Sequence, residues 1–134
     1  VFFTRTTTLT LSHAQFSTIC GVAGYRDSGT DHYESLISHL RGLKGNAILG
    51  HQPGGRWCFR YSCQNNIGVY ACNDNEFHDV HVPWSLLVEY AGYIHGSCTI
   101  QRKIKGVWTE RVLGQAFHPH GWNVIVGIST EEGC

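Results

Sequence analysis

The sequence predicts an α+β fold: a mostly antiparallel sheet packed with two main helices, αβα-sandwich-like and stapled by disulfides. Three observations predict it. Two segments carry apolar residues at helical spacing. Five or more segments are rich in β-branched and aromatic residues and are joined by turn chemistry. Six cysteines sit in a chain of only 134 residues. That length fits a single domain, residues 1–134, with no internal repeat, linker or low-complexity tract.

Each element has its own warrant. "RTTTLTLSH" alternates with period two, so Leu9 and Leu11 would face inward and Thr8 and Thr10 outward. "QFSTICGVAG" reads as a weaker strand or a turn. "DHYESLISHLRGLKG" is the clearest helix of the first half. Asp31 and Glu34 have capping-box spacing, Tyr33, Leu36, Ile37 and Leu40 form the apolar stripe, and Gly42 and Gly45 fit the end. "RWCFRYSC" and "IGVYAC" flank "QNN" and predict a β-hairpin. Pro83 opens a second helix with Trp84, Leu87, Val88, Ala91 and Ile94 as its stripe and Gly96 as its stop. "TIQRKI", "VWTERVLGQAF" and "NVIVGI" then read as strands joined at "KG" and "HPHG".

The cysteines are Cys20, Cys58, Cys63, Cys72, Cys98 and Cys134. No C-x-x-C pair occurs, which disfavours zinc knuckles and thioredoxin-like redox motifs. Three disulfides and an oxidising compartment are expected instead. A turn centred on Asn65 sets Cys58 opposite Cys72. A helix returning along the sheet would bring Cys98 towards Cys63, leaving Cys20 for Cys134. The chain opens without the charged and apolar regions of a signal peptide, holds no membrane-length apolar run and no N-x-[ST] sequon. It therefore reads as a mature, secreted, extracellular protein without N-glycans.

Charge narrows the function classes. Lys plus Arg equals Asp plus Glu, ten each, with no basic block of the kind that grips phosphates. Nine histidines make the protein increasingly cationic as pH falls through their titration range. No G-x-S-x-G, P-loop or His-Glu-x-x-His pattern appears.

The most polar feature is "ACNDNEF". Asp74, Glu76 and His78 alternate as in a calcium loop, but the required glycine is missing. The segment reads either as a turn, in which Asn and Asp side chains satisfy local backbone groups, or as a contact for a polar ligand. Amides and carboxylates suit vicinal hydroxyls, and Phe77, Trp84 and Tyr70 would offer apolar faces to a sugar ring. Candidate ligand residues are Asn73, Asp74 and Asn75. Trp122, His118, His120 and Trp108, near the "HPHGW" and "KG" turns, form a second set, although packing at the edge of the core is at least as good a reading of the two tryptophans. Trp84 lies on a helix stripe and reads as core. His, Glu and Arg are all present, so composition leaves room for a ribonuclease-like toxin.

"GVYACNDN", "LVEYAGYIHGSC" and "VLGQAFHPHGWNVIVG" resemble a block found in small cysteine-rich proteins secreted by fungi. The block spans residues 67–127, and the chain as a whole is similar to the lectins of ink-cap mushrooms. The resemblance implies a non-catalytic lectin for fucose- and GalNAc-containing glycans on cell-surface glycoconjugates. It also implies an α/β sandwich whose subunits pair into a homodimer with a shared sheet. No cofactor, metal, nucleic acid or membrane insertion is expected, and toxicity to glycan-bearing cells would follow. The alternatives are a secreted ribonuclease-like toxin, and a killer-toxin or effector-like protein acting on a protein partner.

Overall fold

The computed structural model describes residues 17–134. The strand expected at Leu9 and Leu11 lies outside them. The main sheet runs β1 (Ser17–Cys20), β10 (Gly114–His118), β11 (Trp122–Ser129), β6 (Ile67–Asn73), β5 (Trp57–Gln64), with every neighbouring pair antiparallel. β2 (Tyr25–Arg26) pairs with the far end of β11. β3 (Ser28–Gly29), β9 (Val107–Val112) and β8 (Thr99–Ile104) form a second sheet. β4 (Asn46–Leu49) and β7 (Val80–Pro83) form a two-stranded ribbon. The helices are α1 (Tyr33–Arg41) and α2 (Trp84–Cys98). Strand residues outnumber helical ones more than two to one, so the described chain is more β-rich than the α+β expectation.

Both described helices pack on one face of the main sheet. Val69 lies opposite Val126 and Ala71 opposite Val124, and these inward side chains share one core with Leu36, Ile37 and Leu40 of α1 and Leu87, Ala91 and Ile94 of α2. Each fully buried aliphatic side chain there contributes roughly 1.5–3 kcal/mol. The αβα layering expected from the sequence is therefore not what the described residues display. The outer face carries a smaller cluster of Tyr70, Cys72 and Ile125, with Val22 of the β1–β2 loop and Tyr25 of β2 packed on it. β6 is buried at every position because both its faces are covered.

Local expectations are mostly met. The α1 stripe of Tyr33, Leu36, Ile37 and Leu40 is wholly buried. The capping box is absent, because α1 starts at Tyr33 after His32 and no side chain caps it. The His32 ring lies instead against Gln64 and Asn65 of the β5–β6 turn. That turn is tight: Asn65 and Asn66 both take positive φ, 49° and 62°, as a two-residue hairpin connection requires.

In α2, Leu87, Ala91 and Ile94 are buried and Tyr90 joins them, while Trp84 and Val88 sit half-buried at the margin. Gly96 does not end α2. The helix runs on to Cys98, where the chain turns into β8 and the Thr99 hydroxyl donates to the His95 carbonyl at 2.5 Å. The single strand expected over "VWTERVLGQAF" divides at Leu113 into β9 and β10. Gly114 passes so close to α2 that a Cβ there would lie 2.7 Å from Cys98 Sγ.

Three disulfides close the fold: Cys58–Cys72, Cys20–Cys98 and Cys63–Cys134. The cross-hairpin pair agrees with the sequence reading. The expected Cys63–Cys98 and Cys20–Cys134 pairs do not form. α2 occupies the inner face and ends beside β1 and β10, whereas Cys63 faces outward opposite Gly68. The C-terminal tail reaches the hairpin turn there, and the Cys134 amide donates to Asn66 Oδ1 at 3.0 Å. Three disulfides are consistent with an extracellular protein, and among the described residues no helix is long and apolar enough to cross a membrane.

The bridges span different lengths of chain, 78 residues for Cys20–Cys98 and 14 for Cys58–Cys72. Loop-closure entropy predicts that replacing Cys20 and Cys98 with alanine costs roughly 1.5 kcal/mol more than replacing Cys58 and Cys72. Urea unfolding of the two double variants measures this. Equal losses would mean that native packing, not loop closure, sets their worth.

Candidate functional site

β6 delivers "ACND" to the rim of the sheet, and the pleat sends consecutive residues to opposite faces. Asn73 turns inward and is completely buried. Its Nδ2 donates to the carbonyls of His78 at 2.8 Å and Gly50 at 2.9 Å, and its Oδ1 accepts the Asn75 amide at 2.9 Å. Asn75 Oδ1 accepts the amides of Phe77 and His78 at 2.8 and 3.0 Å. Of the two readings of this loop, both asparagines follow the turn reading: they hold its backbone.

Asp74 points the other way and is exposed. Its Oδ2 accepts Asn123 Nδ2 at 3.0 Å, and Asn123 Oδ1 accepts Gln115 Nε2 at 2.7 Å. The row runs from amide to amide to carboxylate across the outer face of β10, β11 and β6. It borders a groove of about 570 Å³ whose lining includes Tyr25, Arg56, Phe117 and the Cys58–Cys72 disulfide. The approach of the 51–56 loop is tight. Gly55 has φ +75°, and a Cβ on it would lie 2.5 Å from the Asp74 carbonyl oxygen. Arg56, next in the chain, also has positive φ, 58°, and its carbonyl accepts Gln52 Nε2 at 3.3 Å.

The second predicted set lies elsewhere. Trp122 is on the inner face and only 3% exposed, so it is core. The His118 ring stacks on it at 4.6 Å with 13° between planes, and Tyr90 closes the cluster at 5.0 Å from Trp122. His120 is exposed; its ring centroid lies 4.7 Å from that of His118, and its amide donates to His118 Nδ1 at 3.0 Å. Burial, together with the charge of the adjacent His120, lowers the His118 pKa. Trp108 is 66% exposed on the β8–β9 hairpin, in a different sheet. The seven predicted residues are thus divided among an inner loop framework, an outer groove, an aromatic cluster and a projecting hairpin. Only Asp74 lines the groove.

Asn123, Gln115, Arg56, Phe117 and Tyr25 escaped the sequence reading. One signal was present: Asn123 interrupts the apolar run "WNVIVGI", where a polar side chain needs a specific partner.

A further polar cluster ties Asp27, between β2 and β3, to Arg102 of β8 and Arg111 of β9. Partial burial alone would raise the Asp27 carboxyl, but hydrogen bonds and charge from Arg102 and Arg111 outweigh it and hold its pKa below the ordinary carboxylate value. Burial pushes the Tyr33 and Tyr61 hydroxyls up to about 12. His51 and Asp79 pair at 2.6 Å on the surface. Among the described residues no three His, Cys, Asp or Glu side chains gather as a metal would require. Comparisons with protein-family models, curated proteins and solved structures find no match to this chain.

Asn73→Ala strands buried carbonyls and is expected to destabilise the protein by about 2–3 kcal/mol. A loss below about 0.5 kcal/mol in urea unfolding would contradict that structural role.

His118 has a signed pH effect. Its folded pKa lies below the unfolded value of about 6.5, so as pH falls the unfolded chain takes up a proton first and stability declines. Stability should fall through about pH 6.5 until His118 itself protonates. His118→Gln should reduce the drop in urea midpoint between neutral and mildly acidic pH. An identical drop in the variant would exclude His118 as its source.

Proposed function

We propose that this protein is a secreted, non-catalytic lectin of the fungal cysteine-rich class that binds fucose- and GalNAc-containing glycans through the outer-face groove. One observation carries the reading: the Gln115–Asn123–Asp74 row ends on an exposed carboxylate beside aromatic rims. Such a row supports sugar recognition for chemical reasons. The carboxylate accepts from vicinal hydroxyls, the amides donate and accept, and Phe117 or Tyr25 offers an apolar surface to a ring face. Gln115 and Asn123 sit on the paired strands β10 and β11, and Asp74 follows directly on β6, which Cys58–Cys72 ties to β5, so little ordering is required on binding. The described chain also leaves β5 as a free sheet edge, flanked by Trp57, Phe59, Tyr61 and Trp84 in successive ring contacts of 5.9, 5.1 and 5.6 Å. Phe59 is 53% exposed there. A homodimer pairing along this edge would share one sheet and present two grooves, which raises avidity on cell surfaces.

The alternative with a structural observation behind it is the ribonuclease-like toxin, which would use the adjacent His118 and His120 rings for acid–base work.

A glycan array with and without chelator tests the proposal. Binding to fucosylated or GalNAc-terminated glycans, insensitive to chelator, is expected. Asp74→Ala should weaken it at least about tenfold through loss of a charged hydrogen bond. It should also lower the urea midpoint modestly because the buried Asn123 amide loses its acceptor, with the variant still folded in the absence of urea. Absence of glycan binding, or RNA cleavage by the pure protein, would remove the lectin reading. Undiminished binding by Asp74→Ala would move the site away from the groove.

A further inference from the structure

We infer that the tip of the β8–β9 hairpin is a peripheral contact for anionic lipid bilayers. The hairpin turns at Lys105 and Gly106, both with positive φ, 51° and 83°. Large apolar side chains sit at the tip without cover: Val107 is 64% and Trp108 66% exposed. The register places them on opposite faces. Val107 lies across from Ile104, and Trp108 across from Lys103. A sugar or a flat protein surface would cover one face of such a ribbon. Entry end-on into a soft interface covers both.

The charges of the hairpin agree. Farther from the tip, Arg102 at mid-ribbon and Arg111 towards the base are both engaged by Asp27, at 2.8 and 3.0 Å. Glu110 accepts the Thr30 hydroxyl at 2.6 Å. Nearer the tip, no ion pair among the described residues engages Lys103 or Lys105. The Lys103 ammonium lies 5.9 Å from the centre of the Trp108 ring. The tip therefore presents two unneutralised cations around an indole and a valine. Tryptophan settles at the headgroup level with its apolar body inward and its N–H wet. Lysine stems lie along apolar surface while their ammonium groups reach anionic headgroups. The tip would rest at the interface without spanning it. The expectation of no membrane insertion, read from the absence of a long apolar run, does not address such a contact, because two strands supply it rather than one continuous segment.

The inference does not rest on the lectin reading, and vesicles free of glycolipid separate the two. The test is co-sedimentation of the protein with phosphatidylcholine vesicles and with phosphatidylcholine–phosphatidylserine vesicles, at low and high salt. Binding is expected to the anionic vesicles only and to weaken with salt. Lys103→Gln with Lys105→Gln should cost about fivefold per lysine. Trp108→Ser should abolish the binding that remains at high salt. All three positions are exposed, and equal urea midpoints verify that the variants fold. The inference is overturned if anionic vesicles do not bind the protein, or if neither variant weakens binding. It is equally overturned if Trp108→Ser removes glycan binding while vesicle binding persists, for the tip would then be a sugar platform.

Discussion

The fold depends on burying the inner faces of β6 and β11 beneath α1 and α2. Val69, Ala71, Val124 and Val126 are too small to fill a core alone, so two helices must lie against them. That requirement sends every second residue of the central strands inward and its neighbours outward. Asn73 and Asp74 are adjacent in sequence yet serve opposite faces, one holding a loop together and the other lining a groove. The outer face is then left with a small cluster and a polar row, where a ligand can approach.

The disulfides follow the same division. Cys58–Cys72 floors the outer groove, and Cys63–Cys134 fastens the C-terminal tail on that side. Cys20–Cys98 works on the inner side, tying β1 to the end of α2. Cys98 and Cys72 are themselves buried in the inner and outer clusters, so these bridges reinforce the packing in a chain small enough for its core to need support. Rigidity under the groove and exposure at the hairpin tip thus have one origin. The core uses up the large apolar side chains of the central elements, while β8 and β9 project beyond it and keep theirs exposed.

Much of the architecture was legible in the chain. The stripe of α1 and the Asn-rich hairpin turn depend on neighbours a few residues away, so periodicity and turn chemistry reveal them. Gly96 misled because a glycine in a helix costs only about 1 kcal/mol against alanine, and the packing of α2 overrides it. Asp31 and Glu34 have the spacing of a capping box, but the start of α1 is occupied by contacts from the β5–β6 turn. For the groove, the chemistry of "CNDN" drew attention to the loop that carries Asp74, while the direction of each side chain depended on strand phase. Trp122 looked like a turn-borne platform, yet its register opposite Asn73 places it inward.

The sequence by itself determined two helices with their buried stripes, a largely antiparallel sheet, the Cys58–Cys72 pair and a polar exit from β6. These follow from local spacing. Tertiary structure alone decided that both described helices share one face, that Cys98 meets Cys20 and Cys63 meets Cys134, and that Asp74 joins Asn123 and Gln115. Each of these is a meeting of residues dozens of positions apart. Which face a helix covers and which strand lies beside which are settled by the packing of the whole core, and no short window of sequence contains that information.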